Sequence, residues 1–148
     1  MKNKLLLLED DLTLSETIVD YFEENGFSVQ AVYDGDDVSS IIYENNFDLL
    51  LLDVNVPGKN GFKVLKEIRS EKNKTPAIFI TSLNSMDSLE EGFESGCDDY
   101  IRKPFELKEL LLRVQTLLKR EFSNKNELIK LTETITFNPK DTVYITVV

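Results

Sequence analysis

Four leucines stand in a row twice in this chain, at Leu5-Leu6-Leu7-Leu8 and at Leu49-Leu50-Leu51-Leu52. A strand with one wet face alternates apolar and polar residues. A strand apolar at every position is buried on both faces, as in a parallel sheet with helices above and below. Ile78-Phe79-Ile80 is a third such run, and helical patterns lie between them. Thr13-Leu14-Ser15-Glu16 has the form of a capping box, opening a helix to about Asn25 that Gly26 closes. Val38, Ile41 and Ile42 share a face of a helix over 34–45, and Phe62, Leu65 and Ile68 one over 61–70. An acidic helix follows over 85–95. Leu107, Leu110, Leu111, Val114, Leu117 and Leu118 keep helical spacing over 106–120. With short strands at 28–32 and 99–101, strand and helix alternate five times, which predicts a doubly wound, five-stranded parallel α/β sheet. The crossovers are too short for a barrel of eight.

The pattern changes after residue 121. Residues 122–127 turn polar and read as a linker. Beyond it Ile135 and Phe137 alternate with polar neighbours, Asn138-Pro139-Lys140-Asp141 reads as a turn, and Val143, Ile145 and Val147 alternate again. This predicts an antiparallel β-hairpin within 128–148. A lone hairpin is marginal in water, so the expectation is an incomplete second domain after a first domain over 1–121.

Composition excludes several chemistries. The chain has 148 residues, no histidine and one cysteine, Cys97. Zinc sites built on imidazole, Ser-His-Asp catalysis and phosphohistidine on this chain are therefore out. A single cysteine forms no internal disulfide and fits a reducing, cytoplasmic setting; between Gly96 and Asp98 it reads as a small buried residue. The net charge of −10 disfavours non-specific binding to nucleic acid. Apolar runs of four or five residues are far too short to span a membrane, and three acids cut off the amino-terminal run, so it reads as a strand and not a signal peptide.

The strand ends carry the chemistry. Leu8 runs into Glu9-Asp10-Asp11, Leu52 into Asp53, Ile80 into Thr81, and Ile101 into Arg102-Lys103-Pro104. The carboxyl ends of parallel strands line one crevice, where such folds bind ligands. Clustered carboxylates repel one another unless a cation joins them. Glu9, Asp10, Asp53 and the backbone carbonyl of Asn55 supply a few hard oxygen ligands, leaving room for waters and a phosphate, which suits Mg²⁺. Asp53 is then placed to be a nucleophile that forms an aspartyl phosphate, with the Lys103 ammonium neutralising charge on the phosphoryl oxygens.

Taken in order, Glu9-Asp10, Asp53-Val54-Asn55-Val56-Pro57-Gly58-Lys59-Asn60-Gly61, Thr81 and the segment from Gly96 to Phe105 resemble the receiver domain of two-component response regulators. The tail is similar to the opening strands of the winged-helix DNA-binding domain in the OmpR/PhoB subfamily. The resemblance implies the flavodoxin-like strand order 2-1-3-4-5. It implies that Asp53 accepts a phosphoryl group from a sensor histidine kinase, with Mg²⁺ held by Glu9, Asp10, Asp53 and the Asn55 carbonyl. Lys103 would pair with the phosphoryl oxygens, Thr81 would hydrogen-bond them and Tyr100 would turn inward. The face of helix four, strand five and helix five, with Asp99, Glu109 and Arg113, would then form a homodimer. DNA would be bound only through the output domain missing here, and the chain would be no turnover enzyme.

Duller readings stand beside these. Thr81 is also a natural turn or helix-capping residue, Tyr100 a core aromatic, Asp11 a solvated helix start, and Glu109 with Arg113 a local i,i+4 ion pair. One departure bears on the dimer: helix four reads Ser88-Leu89-Glu90-Glu91, with leucine where the subfamily usually has a basic residue. Two other classes remain as alternatives. One is an unphosphorylated interaction scaffold. The other is a haloacid-dehalogenase-like phosphatase, against which Asn55 stands where the general acid is needed.

Overall fold

The parallel sheet has the order β2-β1-β3-β4-β5, built from β1 (Asn3–Leu8), β2 (Phe27–Val32), β3 (Leu49–Leu52), β4 (Ala77–Thr81) and β5 (Asp99–Arg102). These come from a computed structural model that describes residues 2–137, with side chains described through residue 125. The helices are α1 (Leu12–Glu24), α2 (Val38–Glu44, led in by a 3₁₀ turn at Gly35–Asp37), α3 (Gly61–Ser70), α4 (Met86–Ser95) and α5 (Leu107–Phe137). The doubly wound fold and its strand order are those expected from the sequence.

The leucine runs explain why the sheet is central. Leu5 to Leu8 and Leu49 to Leu52 are all buried. Leu6, Leu8, Leu50, Leu52 and Phe79 share one face with Val38 of α2 and Phe62, Leu65 and Ile68 of α3. Strand alternation sends Leu5, Leu7, Leu49, Leu51, Ile78 and Ile80 to the other face. Ile18 and Phe22 of α1 and Leu110 and Val114 of α5, all fully buried, provide the opposing apolar surface. Each such side chain contributes about 1.5–3 kcal/mol by leaving water.

The helix starts differ in detail from expectation. The N-cap of α1 is Asp11, whose Oδ1 accepts the Leu14 amide at 3.2 Å, so the helix begins before the Thr13 capping box. Ser85 caps α4 and Asn60 caps α3. Gly61 is required at the start of α3: a Cβ there would overlap the Asp53 carbonyl oxygen and lie 2.9 Å from Val54 Cα, backbone atoms that cannot give way. At the end of α4, Gly96 takes φ +106°, the left-handed cap expected of glycine.

The larger difference is α5, which continues to Phe137. The linker expected at 122–127 and the strand expected around Ile135 and Phe137 are helical backbone. A polar composition is not a stop signal, and no glycine or proline interrupts the chain between Pro104 and Pro139. The expected turn at 138–141 and second strand at Val143, Ile145 and Val147 lie outside the described residues. The chain divides into two units: residues 1–114 hold the sheet, α1–α4 and the first turns of α5, and residues 115–148 hold the rest of that helix.

Cys97 is buried, and burial pushes its thiol up to about 12. The folded state thus holds the neutral thiol, and that preference is lost as pH rises past the ordinary thiol range toward the folded value. At mildly alkaline pH the folded thiolate population is far below that of a free cysteine. Intact mass after iodoacetamide treatment should show slow alkylation of the folded protein and rapid alkylation in urea. Equal rates would contradict the buried placement.

Candidate functional site: an acidic crevice at the strand ends

Sheet register brings the charged groups together. Leu8 pairs with Leu52, and past that pair the Asp53 amide donates to Leu8 O at 2.9 Å while the Glu9 amide donates to Val32 O at 3.0 Å. Glu9 and Asp53 therefore emerge side by side. Thr81 pairs with Arg102, and the Lys103 amide donates to Thr81 O at 2.9 Å, which carries Lys103 onto the same edge. The Lys103–Pro104 peptide bond is cis.

Lys103 Nζ donates to Glu9 Oε1 at 2.6 Å and to Asp53 Oδ2 at 2.9 Å. Asp53 Oδ1 accepts the Val54 amide at 2.6 Å, and Glu9 Oε2 accepts the Asp11 amide at 3.1 Å. Carboxylate oxygens of Glu9, Asp10 and Asp53 lie within 4.8 Å of one another. Glu9 is 1% exposed and Asp53 5%, whereas Asp10 is open to solvent. Burial pushes the Glu9 carboxyl up, and the nearby Asp53 charge adds to that, against the Lys103 hydrogen bond. Burial pulls the Lys103 ammonium down, but its hydrogen bonds to Glu9 and Asp53 outweigh this and leave it above the ordinary lysine value.

Three carboxylates against one ammonium leave the crevice with an excess of negative charge when all are ionised. Hard oxygens so gathered, one rim group wet and the others sequestered, suit a small divalent cation. An ammonium also has three donors, and two are spent on Glu9 and Asp53.

The other expected residues are nearby with various engagements. Thr81 is fully buried, and its Oγ1 accepts the Leu83 amide at 3.3 Å, so it does hold the turn after β4. Tyr100 is half-buried: its ring lies 6.2 Å from that of Phe79, and its hydroxyl donates to Leu83 O at 3.0 Å. Gly92 makes room for that ring, since a Cβ there would come within 2.9 Å of it. Asn55 is exposed in the loop after β3. Asp99, Glu109 and Arg113 form one network: Arg113 reaches Asp99 Oδ2 at 2.9 Å and Glu109 Oε1 at 3.2 Å. The local i,i+4 pair read from the sequence is present, within a single chain.

Two features escaped the sequence. The ion pair of Lys103 with Glu9 joins residues whose contact depends on sheet register. The Asp34–Asp37 turn also holds the loop after β3, the Gly35 amide donating to Pro57 O and the Lys59 amide to Asp36 Oδ1; its one visible signal was the turn-forming Asp34-Gly35-Asp36.

A sheet of this topology with acids and a lysine at its carboxyl edge defines a receiver-type α/β domain. Residues 5–115 match the model of the response regulator receiver domain, and the chain belongs to that family. It is 44% identical over 126 residues to the transcriptional regulatory protein CiaR of Streptococcus pneumoniae, a match covering 84% of this chain and 56% of CiaR. To the transcriptional regulatory protein RprY of Bacteroides fragilis it is 36% identical, covering 85% of this chain and 53% of RprY. The chain thus spans about half the length of these curated relatives. Among solved structures, a Francisella response regulator receiver domain superposes with a TM-score of 0.78 at 37% identity, covering 81% of this chain and 99% of that one. The BeF3-activated receiver domain of Klebsiella pneumoniae RstA gives 0.74 at 31%, covering 78% and 98%. Among the described residues no helix is long and apolar enough to cross a membrane.

Proposed function

We propose that this chain is the phospho-acceptor switch of a two-component transcription regulator, with Asp53 as the acceptor. The observation that carries this is the buried Asp53 carboxylate, hydrogen-bonded to Lys103 at 2.9 Å and flanked by Glu9 and Asp10. In the reaction an Asp53 oxygen forms a bond to phosphorus as the phosphorus–nitrogen bond to a sensor kinase histidine breaks. The released imidazole takes up a proton. Lys103 holds Asp53 in place and has an N–H left for a phosphoryl oxygen. Buried Thr81 offers a hydroxyl at the adjoining strand end.

Glu9, Asp10, Asp53 and the Asn55 carbonyl would hold Mg²⁺, which when bound neutralises charge on the phosphoryl oxygens. Because burial and the Asp53 charge disfavour the ionised form of Glu9, and Lys103 keeps Asp53 as a partner, Glu9→Gln should raise metal-free stability by on the order of 1 kcal/mol. It should also shrink the rise in melting temperature that Mg²⁺ gives the wild type. Scanning calorimetry with and without MgCl₂ checks both; a variant with undiminished Mg²⁺ stabilisation would remove Glu9 from the ligand set.

The product is an acyl phosphate. The test is treatment of the phosphorylated protein with hydroxylamine, which cleaves acyl phosphates and spares serine and threonine phosphates. Loss of the phosphate supports Asp53 chemistry; retention would overturn it.

The switch would act on the face of α4, β5 and α5, where Asp99, Glu109 and Arg113 form their network, and would pair two copies in the full-length regulator. With Leu89 in place of a basic residue, that pairing would lean more on apolar contact, be weaker, or use another face. DNA would be read by an OmpR/PhoB-like output domain, in the cytoplasm. Family membership leaves the phosphatase reading without support, and the full set of charged site residues favours a phosphorylated switch over a silent scaffold.

A further inference from the structure

The loop from β3 to α3, residues 54–60, carries the Asn55 carbonyl, yet little burial holds it. Val54 is buried and Val56 half-buried, while Asn55, Pro57, Gly58 and Asn60 are exposed. At its root the loop is closed by Val54 O, which accepts the Gly61 amide at 3.0 Å and the Val56 amide at 3.2 Å. Its outer part is gripped from another element. The Gly35 amide donates to Pro57 O at 2.9 Å, and Asp36 Oδ1 accepts the Lys59 amide at 3.2 Å. Asp34 Oδ1 accepts the Asp36 amide at 2.7 Å, which sets the Asp36 side chain's own base. Gly35 also fits flush against the loop: a Cβ there would run into the Lys59 carbonyl oxygen and sit 2.8 Å from its carbon. Lys59 is further tied by its ammonium to Glu67 of α3 at 2.8 Å.

We infer that the Asp34–Asp37 turn is a clasp that fixes the loop bearing the Asn55 carbonyl, with Gly35 and Asp36 as positioning residues for the metal site. The inference rests on the proposed Mg²⁺ reading of that site. Its physical basis is the strict octahedral geometry Mg²⁺ demands at about 2.0–2.1 Å, which a loop closed at its root but with its outer part unsupported maintains poorly. Neither residue touches the crevice; both act through the backbone from Pro57 to Lys59.

The test is a ¹H–¹⁵N NMR titration of the whole chain with MgCl₂, well below unfolding, on wild type, Asp36→Ala, Asp36→Asn and Gly35→Ala. Asp36→Asn keeps an oxygen acceptor for the Lys59 amide, whereas both Asp36 variants lose the same charge. Asp36→Ala should bind Mg²⁺ at least about threefold more weakly, short of the roughly 10–100-fold of groups bonded directly to a metal ligand because Asp36 acts through the backbone, with Asp36→Asn close to wild type. Gly35→Ala, if folded, should shift the Asn55 amide before any metal is added. Wild-type affinity in Asp36→Ala would overturn the clasp, as would equal weakening in both Asp36 variants, which would assign the effect to charge alone. A wild type with no saturable response would sink the underlying metal reading, and the clasp with it.

Discussion

Asp53→Asn protein incubated with acetyl phosphate and MgCl₂ is expected to gain no phosphoryl group while remaining folded. An amide oxygen keeps the shape of the carboxylate and can still accept the Lys103 hydrogen bond, seen in the wild type at 2.9 Å. It is a poor nucleophile, however, and forms no acyl phosphate. The loss should therefore be complete in an intact-mass measurement, with the circular dichroism spectrum unchanged. Uptake surviving in this variant would place the acceptor elsewhere.

The second large effect belongs to Lys103→Ala. Removing the ammonium leaves the buried Glu9 and Asp53 facing each other with no cation between them. Breaking a buried pair by deleting one partner costs about 3–5 kcal/mol, and since Lys103 itself is partly open to solvent about 2 kcal/mol is the expected loss of metal-free stability. Mg²⁺ should restore part of it by supplying the missing positive charge. Phosphoryl uptake should slow by at least about tenfold, because an oriented donor to the transferring group is gone. Urea unfolding with and without MgCl₂, and the initial rate of mass gain, measure the two effects separately. A variant as stable as the wild type would mean that solvent, not Lys103, screens the two carboxylates.

Much of the fold was legible because burial on both faces leaves a direct mark on sequence. The runs at residues 5–8 and 49–52 are apolar without a break, and both strands lie inside the sheet. The candidate site was legible for a related reason: Glu9, Asp53 and Thr81 each follow such a run and Lys103 follows the short strand β5, so a parallel sheet must bring them to one edge. Finer matters were set by competition between similar signals. Asp11 and Thr13 are both good caps, and the earlier one serves. Polar residues after 121 resemble a linker, yet nothing among them breaks a helix, and α5 continues to Phe137. Contacts across loops, such as Asp36 with the Lys59 amide, had no periodicity to announce them.

Phosphorylation of Asp53 is decided by the intact mass of the wild-type protein after acetyl phosphate, with MgCl₂ or with a chelator. The expected result is a gain of one phosphoryl group that requires Mg²⁺ and is absent from Asp53→Asn. A gain that persists in the chelator, or none in a folded wild type given Mg²⁺, would contradict it.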